Sequence, residues 1–549
     1  MVARNLSTDI QDDSVIQTLL TDLYQITMCY GYWKAGVHEQ NCVFDVFFRK
    51  NPFGGEYTIF AGLEDCLRFL DKFKFKKTDV DFLRKVLPNN IDPEFFDYLL
   101  GLNAKGVKVS ALKEGSVVFP RVPMITVEGP LAVCQIFETI FLNLVSFASL
   151  VTTNASRLRY VAGDKQKLYE FGLRRAQGPN GALSASKYSY VGGFDGTSNV
   201  LAGERFNIPV FGTHAHSFIS AFSSPSDLKV RKMKNASGTE EYDLYELAKT
   251  KLEFLTGKFS WGVSNHEISA GELCAFCAYA VAFPSSFLVL VDTYDVLKSG
   301  IINFCAVTLA LFDLGYRAIG IRIDSGDLSY LSQQVRSKFK MVAGLDPQYS
   351  WISKLTIFAS NSVNEDTISS LNEQHHEIDG FGIGGNLVTC YKQSSLGCVY
   401  KLVTLEGNPK IKLSEDVGKI TIPGKKRCYR LYGRTGLAVC DLMMLDDEEP
   451  PKEHHPILCR HPFVESKRAE VVPHKVECLQ QYYYGDGELH MPLPTLEEIR
   501  RHTADSLQTL RSDHRRLLNP TPYKVSLSVK LYAFLHNIWL ENAPIGRLE

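Results

Sequence analysis

Hydrophobic and polar positions change rhythm several times along the chain. From Thr21 to Tyr32 the apolar residues fall on helical spacing, with Thr21 or Asp22 placed to cap a helix. Around Val43, Phe44, Val46 and Phe47 the pattern becomes strand-like over 42–49. It ends in Arg49-Lys50-Asn51-Pro52-Phe53-Gly54-Gly55, a turn composition. Residues 131–150 return to helical spacing through Ile136, Ile140, Leu144 and Phe147, which predicts a long amphipathic helix.

Beyond that helix, short apolar runs alternate with helical stretches. Strands are expected at 167–171, 209–213, 287–292, 318–323, 356–359 and 380–383, with a helix over 299–314 between two of them. Alternating β and α units imply a parallel sheet, either closed into a (β/α) barrel or open and doubly wound. The barrel is the favoured expectation, because each predicted strand runs into polar residues: Gly172 to Arg174, Thr213 to His216, Asp292 to Asp295, Arg322 to Asp327, Ser360-Asn361 and Gly384-Gly385. Loops at the carboxyl ends of barrel strands form the active face of such folds. After about residue 400 the alternation is lost. A charged, Pro-containing loop is expected at 446–455 and a basic helical stretch at 496–518, whose interleaved Glu497, Glu498, Asp505 and Asp513 read as a solvated face rather than a nucleic-acid surface.

Composition narrows the classes. A chain of 549 residues calls for two or three substructures, and 45% hydrophobic with 22% charged residues is ordinary for a globular protein. With 60 Lys plus Arg against 61 Asp plus Glu there is no global field for nucleic acid or an anionic membrane, so an anionic ligand must be held by local cations. Segment 1–13 lacks the apolar core of a signal peptide, and the apolar runs 278–291 and 301–314 are shorter than the roughly 20 residues of a bilayer span. The 13 scattered cysteines favour reduced thiols and a cytosolic setting over a disulfide framework, and the Cys274-x-x-Cys277 pair, with no second pair for zinc, reads as core.

The chemistry concentrates in a few motifs. Phe171-Gly172-Leu173-Arg174-Arg175 places a ring face and a guanidinium together, which suits a flat carboxylated ring. Gly178-Pro179-Asn180-Gly181 and Gly192-Gly193 resemble loops of close backbone approach. His214-Ala215-His216 has no nearby acid or thiol to complete a metal set, leaving a packed histidine or a nucleophile that stores a phosphoryl group. Arg322-Ile323-Asp324-Ser325-Gly326-Asp327 combines a cation for phosphate with carboxylates for ribose hydroxyls or Mg²⁺. Gly382-Ile383-Gly384-Gly385-Asn386 offers amides to a phosphate without the dinucleotide-binding spacing.

These motifs, with Thr21 to Met28, Phe48 to Phe53 and Asn519 to Val525, resemble the nicotinate phosphoribosyltransferase family in order and nearly from end to end. The resemblance implies an irregular (β/α) barrel over 151–400, and a second α/β domain built from 1–150 and 401–549. It also implies a homodimer with shared active sites. The implied reaction takes nicotinate and phosphoribosyl pyrophosphate to nicotinate mononucleotide and pyrophosphate, assisted by Mg²⁺ or Mn²⁺ and coupled to ATP through a phosphohistidine.

By matching positions, Phe171 and a second subunit's Tyr24 would sandwich the pyridine, and Arg174 with Arg322 would hold phosphate and carboxylate groups. Asp292, Asp324 and Asn361 would address the ribose, and Gly384 with Gly385 the 5′-phosphate. Thr213 would line the substrate site, and His216 would carry the phosphoryl group, with His214 the alternative. No residue set is assigned to a protein-held metal. Relatives that use nicotinamide carry an aspartate where this chain has Ser198, so Ser198 implies a preference for the acid. The other readings are a nicotinamide- or quinolinate-using phosphoribosyltransferase and a non-catalytic relative acting as a binding protein.

Overall fold

The computed structural model describes residues 15–543. The polar segment 1–13 lies outside them. The described chain separates into two compact units. One comprises residues up to Ala155, Val191–Gly193 and those from Cys390 onward; the other comprises Ser156–Tyr190 and Phe194–Thr389.

The second of these is built on a parallel sheet. Its strands run in the order Leu288–Leu290, Gly320–Ile323, Thr356–Ser360, Gly380–Ile383, Lys167–Glu170 and Gly196–Thr197. Every neighbouring pair is parallel, with Leu288 opposite Gly320, Gly320 opposite Thr356, Phe358 opposite Gly380, Gly380 opposite Lys167 and Tyr169 opposite Gly196. Helices Gly178–Val191, Ala270–Ala282, Ile301–Asp313, Leu328–Ala343 and Glu365–Glu373 fall between the strands in sequence. The connections satisfy the rule that parallel neighbours need long crossovers. Residues 209–213 do not form the strand expected there. Val210 makes a single parallel bridge to Thr197, and Gly196–Thr197 pairs beside Lys167–Glu170 instead. Backbone hydrogen bonds among the described residues do not join this bridge to Leu288–Leu290, so the architecture is a parallel α/β sheet whose closure into a barrel is not made by the ladder.

Helix Ile301–Asp313 is buried through Ile301–Leu311, as an all-round apolar helix must be. Phe304 stacks on Phe287 at 5.5 Å and meets Phe339 at 5.8 Å, joining strand edge and two helices in one core. By length and composition the helices Leu131–Ala162 and Val296–Asp313 are apolar enough to cross a membrane, but most of each apolar window is buried inside the protein. The first continues well past the 131–150 expected. Its later turns bury Ser149, Thr152, Thr153, Asn154 and Arg157, so hydrophobic spacing fails while the helix continues. Thr152 and Thr153 satisfy their hydroxyls on the carbonyls of Ala148 and Ser149 at 2.8 and 2.6 Å.

The other unit weaves both chain regions into shared sheets. Asn41–Phe48 lies antiparallel between Ile125–Pro130 and Cys398–Leu405 in a seven-stranded sheet. A six-stranded sheet contains Ala438–Leu445, Lys426–Tyr432 and Lys524–Leu527. Where alternation fades beyond residue 400, the chain is thus rich in strands. Several are short and exposed on both faces, such as Arg468–Val471, and carry no period-two signal. The helix expected over 496–518 stops at Gln508, followed by a single turn at Ser512–His514. All 13 cysteines are free thiols, and Cys274 and Cys277 are buried on helix Ala270–Ala282, in keeping with their reading as core.

Within the six-stranded sheet, buried Arg430 donates to both oxygens of buried Asp441 at 2.8 Å, and the Tyr523 hydroxyl adds a 2.9 Å bond to the same carboxylate. Two desolvated charges this well paired become costly only when one is removed. Arg430→Met is expected to destabilise the protein by about 3–5 kcal/mol, read from denaturant midpoints. A loss within that of ordinary surface substitutions would contradict the assignment.

Candidate active site

The parallel ladder brings the carboxyl ends of its strands to one edge, and most of the sequence-predicted residues gather there. Arg322 leaves strand Gly320–Ile323, and its Nη1 donates to Thr213 Oγ1 at 3.1 Å. Its guanidinium carbon stands 6.0 Å from the centre of the Phe171 ring. Burial holds this guanidinium below its usual range and nearby Arg174 adds repulsion, while Asp324 and Asp292 pull the other way. Its Nε is buried with no hydrogen-bond partner among the described residues.

Two residues further on, the Asp324 amide donates to Asp292 Oδ2 at 2.9 Å, and the Ser325 hydroxyl reaches the same oxygen at 2.6 Å. The Ser360 hydroxyl, at the end of the next strand, donates to Asp324 Oδ1. These contacts aim the two carboxylates without neutralising them, and Asp292 Oδ1 is buried with no partner among the described residues. Asn361, just past Ser360, is exposed, and both it and Ser362 hold positive φ (80° and 55°), a conformation uncommon for residues with a Cβ and frequent at functional strand ends.

His216 enters from the loop after Val210. Its Nδ1 lies 3.1 Å from Thr293 Oγ1 and its Nε2 3.6 Å from Asp324 Oδ2, with 42% of the side chain exposed. His214 differs in every respect. Its ring packs on Tyr279 at 4.8 Å and Phe218 at 5.3 Å, and its Nε2 is buried without a partner among the described residues. Burial pushes its pKa down to about 4, with Arg322 and His216 adding repulsion and the Ala215 carbonyl opposing.

Phe171 lies half-buried at the end of Lys167–Glu170, near-parallel to Phe211 with ring centres 6.4 Å apart. A Cβ on Gly382 would come within 2.3 Å of this ring, so glycine is needed there for close approach. Gly384 lies against the Phe171 carbonyl and Gly385 against the Arg175 side chain, opening a short helical turn, Gly385–Thr389. Arg174 is exposed on the turn Leu173–Arg175, and the Ser198 amide donates to the Glu170 carbonyl at 2.9 Å. Tyr24 belongs to the other compact unit, 46% exposed on helix Leu23–Lys34.

Thr293, Ser325 and Ser360 stand within strand-end motifs legible in the sequence but carried no role there; they orient His216, Asp292 and Asp324. Short hydroxyl residues at strand ends are too common to stand out. The sequence reading passed over Glu272, a wholly buried acid on helix Ala270–Ala282. Its Oε2 accepts from Ser299 Oγ at 2.5 Å and Asn303 Nδ2 at 3.2 Å, and burial pushes its pKa up to about 7. Among the described residues no group of three or more His, Cys, Asp or Glu is placed to hold a metal ion.

Arg322, Asp292 and His214 each keep one buried atom without a partner among the described residues; such atoms also occur elsewhere in the chain, and what marks this edge is that three of them lie on residues that stand together. A cation, two oriented carboxylates, an exposed imidazole and a ring face together can take an anionic, hydroxylated ligand and a flat aromatic one.

Family profiles described as the nicotinate phosphoribosyltransferase (NAPRTase) N-terminal domain, the NAPRTase family and the nicotinate phosphoribosyltransferase C-terminal domain match residues 19–146, 308–448 and 425–535. The chain is 60% identical to a nicotinate phosphoribosyltransferase of Caenorhabditis elegans, over 98% of this chain and 96% of that protein. It is 44% identical to that of Homo sapiens, over 98% and 99%. The crystal structure of human nicotinic acid phosphoribosyltransferase superimposes with a TM-score of 0.86 over 95% of this chain and 100% of that one. A nicotinate-nucleotide pyrophosphorylase of Pyrococcus furiosus, 19% identical, shares the fold with a TM-score of 0.59 over 92% of this chain and 99% of that one.

The burial of His214 has a measurable pH signature. A histidine whose folded pKa lies below its unfolded one costs no stability above about pH 6.5, and a growing penalty as pH falls towards 4, where only the unfolded chain takes up the proton. Histidine NMR is expected to show this ring titrating near 4, and His214→Gln to flatten the fall in stability over that window. A ring titrating at its ordinary value would contradict the packing.

Proposed function

The chain belongs to the nicotinate phosphoribosyltransferase family, and from that premise we propose that this edge of the sheet joins nicotinate to phosphoribosyl pyrophosphate and draws on ATP through a phosphohistidine at His216. The observation that carries the reading is the convergence of His216, Asp324, Asp292 and Arg322 on one strand edge, with the Arg322 guanidinium near the Phe171 ring. In the transfer, the pyridine nitrogen forms a bond to the anomeric carbon as the bond to pyrophosphate breaks, and the electron pair leaves with pyrophosphate. The nitrogen already carries its lone pair, so no general base is needed. The protein's work is to position the ring and compensate charge.

Phe171 supplies one face for the pyridine, and Tyr24 of the partner subunit would supply the other. Arg174 and Arg322 address carboxylate and phosphate, Thr213 steadies Arg322, and Asp292, Asp324 and Asn361 address the ribose hydroxyls. Gly384 and Gly385 approach the 5′-phosphate. Asp292 Oδ1 and the Asp324 carboxylate suit Mg²⁺ or Mn²⁺ carried in on substrate phosphates, since Mg²⁺ usually takes one or two carboxylates and keeps water. When bound, the ion would neutralise charge on the leaving pyrophosphate.

His216 is favoured over His214 as the phosphorylated residue. In the tautomer whose Nδ1–H donates to Thr293 Oγ1, Nε2 keeps its lone pair on the side towards Asp324, whereas the His214 ring packs against Tyr279 and Phe218 with its Nε2 buried. In that step Nε2 bonds to the γ-phosphorus and ADP departs with the bridging oxygen's electrons. A phosphoryl group beside Asp324 adds about −1.5 to −2 of charge, a reason for phosphohistidine and the cation-carrying substrate to stabilise each other. A homodimer with shared sites is the family's arrangement carried over to this chain, and exposed Leu23, Tyr24 and Met28 leave apolar surface on helix Leu23–Lys34 for such a contact. The free thiols support a reducing compartment, the cytosol.

Product formation from phosphoribosyl pyrophosphate is expected with nicotinate rather than nicotinamide, and to rise with ATP and Mg²⁺. A His216→Ala variant that kept ATP stimulation would refute the phosphohistidine. Ser198→Asp is expected to shift the nicotinate-to-nicotinamide ratio of kcat/KM by about 100-fold towards the amide, because a carboxylate there repels the acid. An unchanged ratio would remove Ser198 from specificity.

A further inference from the structure

Glu170 ends strand Lys167–Glu170 with 1% of its surface exposed, and nothing assigned so far uses it. A buried carboxylate must find donors, and this one finds three on three different segments. Its Oε1 accepts from the Gly172 amide, and its Oε2 from Ser186 Oγ at 2.7 Å and Thr197 Oγ1 at 2.5 Å. The network continues outward: the Asn199 amide donates to Thr197 Oγ1 at 2.9 Å, and Asn199 Nδ2 to Ser186 Oγ at 3.2 Å. Asn199 in turn caps helix Val200–Phe206. No Lys or Arg pairs with Glu170 among the described residues, so its charge is met by oriented dipoles. Gly172 is pressed so close that a Cβ there would lie 2.9 Å from Glu170 Oε1 and 2.4 Å from Val388 Cγ1.

Each tied segment carries part of the proposed pyridine site. Gly172 follows Phe171 and precedes Arg174, while Thr197 and Asn199 flank Ser198. Ser186 lies on helix Gly178–Val191, which starts just beyond the turn holding Arg174. The parallel ladder and the Ser198 amide bond to the Glu170 carbonyl join the two segments through the main chain, and the Glu170 side chain adds the tie that reaches Gly172, Thr197 and the Ser186 helix together. We infer that Glu170 is a positioning residue that sets the spacing between Phe171 and Ser198, and so the fit of the pyridine base, without touching the substrate. This rests on the reading of Phe171 and Ser198 as base contacts.

The inference predicts a split between the two substrates. Glu170→Gln keeps the volume and one acceptor oxygen but loses the other, and the hydroxyls can reverse to accept, so the variant folds. Its KM for nicotinate is expected to rise about tenfold, with KM for phosphoribosyl pyrophosphate within about twofold and the melting temperature little changed. Glu170→Asp keeps the charge and shortens the reach, and is expected to show the same split. Phe171→Ala serves as the reference for the underlying reading, because it removes the base platform directly. A nicotinate KM unchanged in Phe171→Ala would overturn the base-site reading itself. A raised KM in Phe171→Ala with wild-type values in Glu170→Gln, wild-type kinetics in Glu170→Asp, or equal rises for both substrates in either variant would overturn the positioning role alone.

Discussion

Parallel hydrogen bonding is the constraint on which the site depends. Because each strand from Leu288–Leu290 to Gly196–Thr197 runs in the same direction as its neighbour, the end of one segment lies beside the end of the next. Glu170 to Gly172, Thr197 to Asn199, Asp292, Arg322 to Asp324, Ser360 and Gly382 to Gly384 are thereby gathered at one edge although they span more than half of the unit's sequence. Backbone pairing stops there, so side chains and loop amides are left to meet ligand groups. Antiparallel pairing would have sent alternate strand ends to opposite edges.

Charge at that edge is arranged by small neutral groups. Ser325 and the Asp324 amide hold Asp292, Ser360 holds Asp324, Thr293 meets His216, and Thr213 meets Arg322. Hydroxyls orient a carboxylate or a guanidinium while leaving its charge for a ligand, whereas a protein ion pair would cancel it. Arg430 and Asp441 in the other unit make the contrast: there the charges consume each other, and the result is purely structural. A partly desolvated Arg322 with an idle Nε is poised for an anion because the protein has not satisfied it.

Much of this was legible in the residues. The runs at 287–292, 318–323, 356–359 and 380–383 are strands near the expected places because buried parallel strands are short and continuously apolar. The polar residues after them read as chemistry because they interrupt those runs abruptly. The run at 209–213 looked no different, but it pairs only around Thr197, through the Pro209 carbonyl and the Phe211 amide, and so adds a single bridge beyond Gly196–Thr197 rather than a strand. Glu170 was invisible for the opposite reason: a single acid at a strand end looks solvated until three donors are seen to close around it. The strands beyond residue 400 were hidden because short strands with mixed exposure carry no alternation to read.

The sequence alone determined the class of the fold, the order of most of its strands along the chain and the motifs that mark the family, and it singled out candidate residues at the strand ends. These depend on local periodicity and on residue types adjacent in the chain. Only the tertiary structure decided which strands lie side by side, which of two neighbouring histidines keeps an open edge, and which buried acid ties Phe171 to the Ser198 loop. Those outcomes depend on long-range pairing and on desolvation, and both are set by residues far apart in sequence.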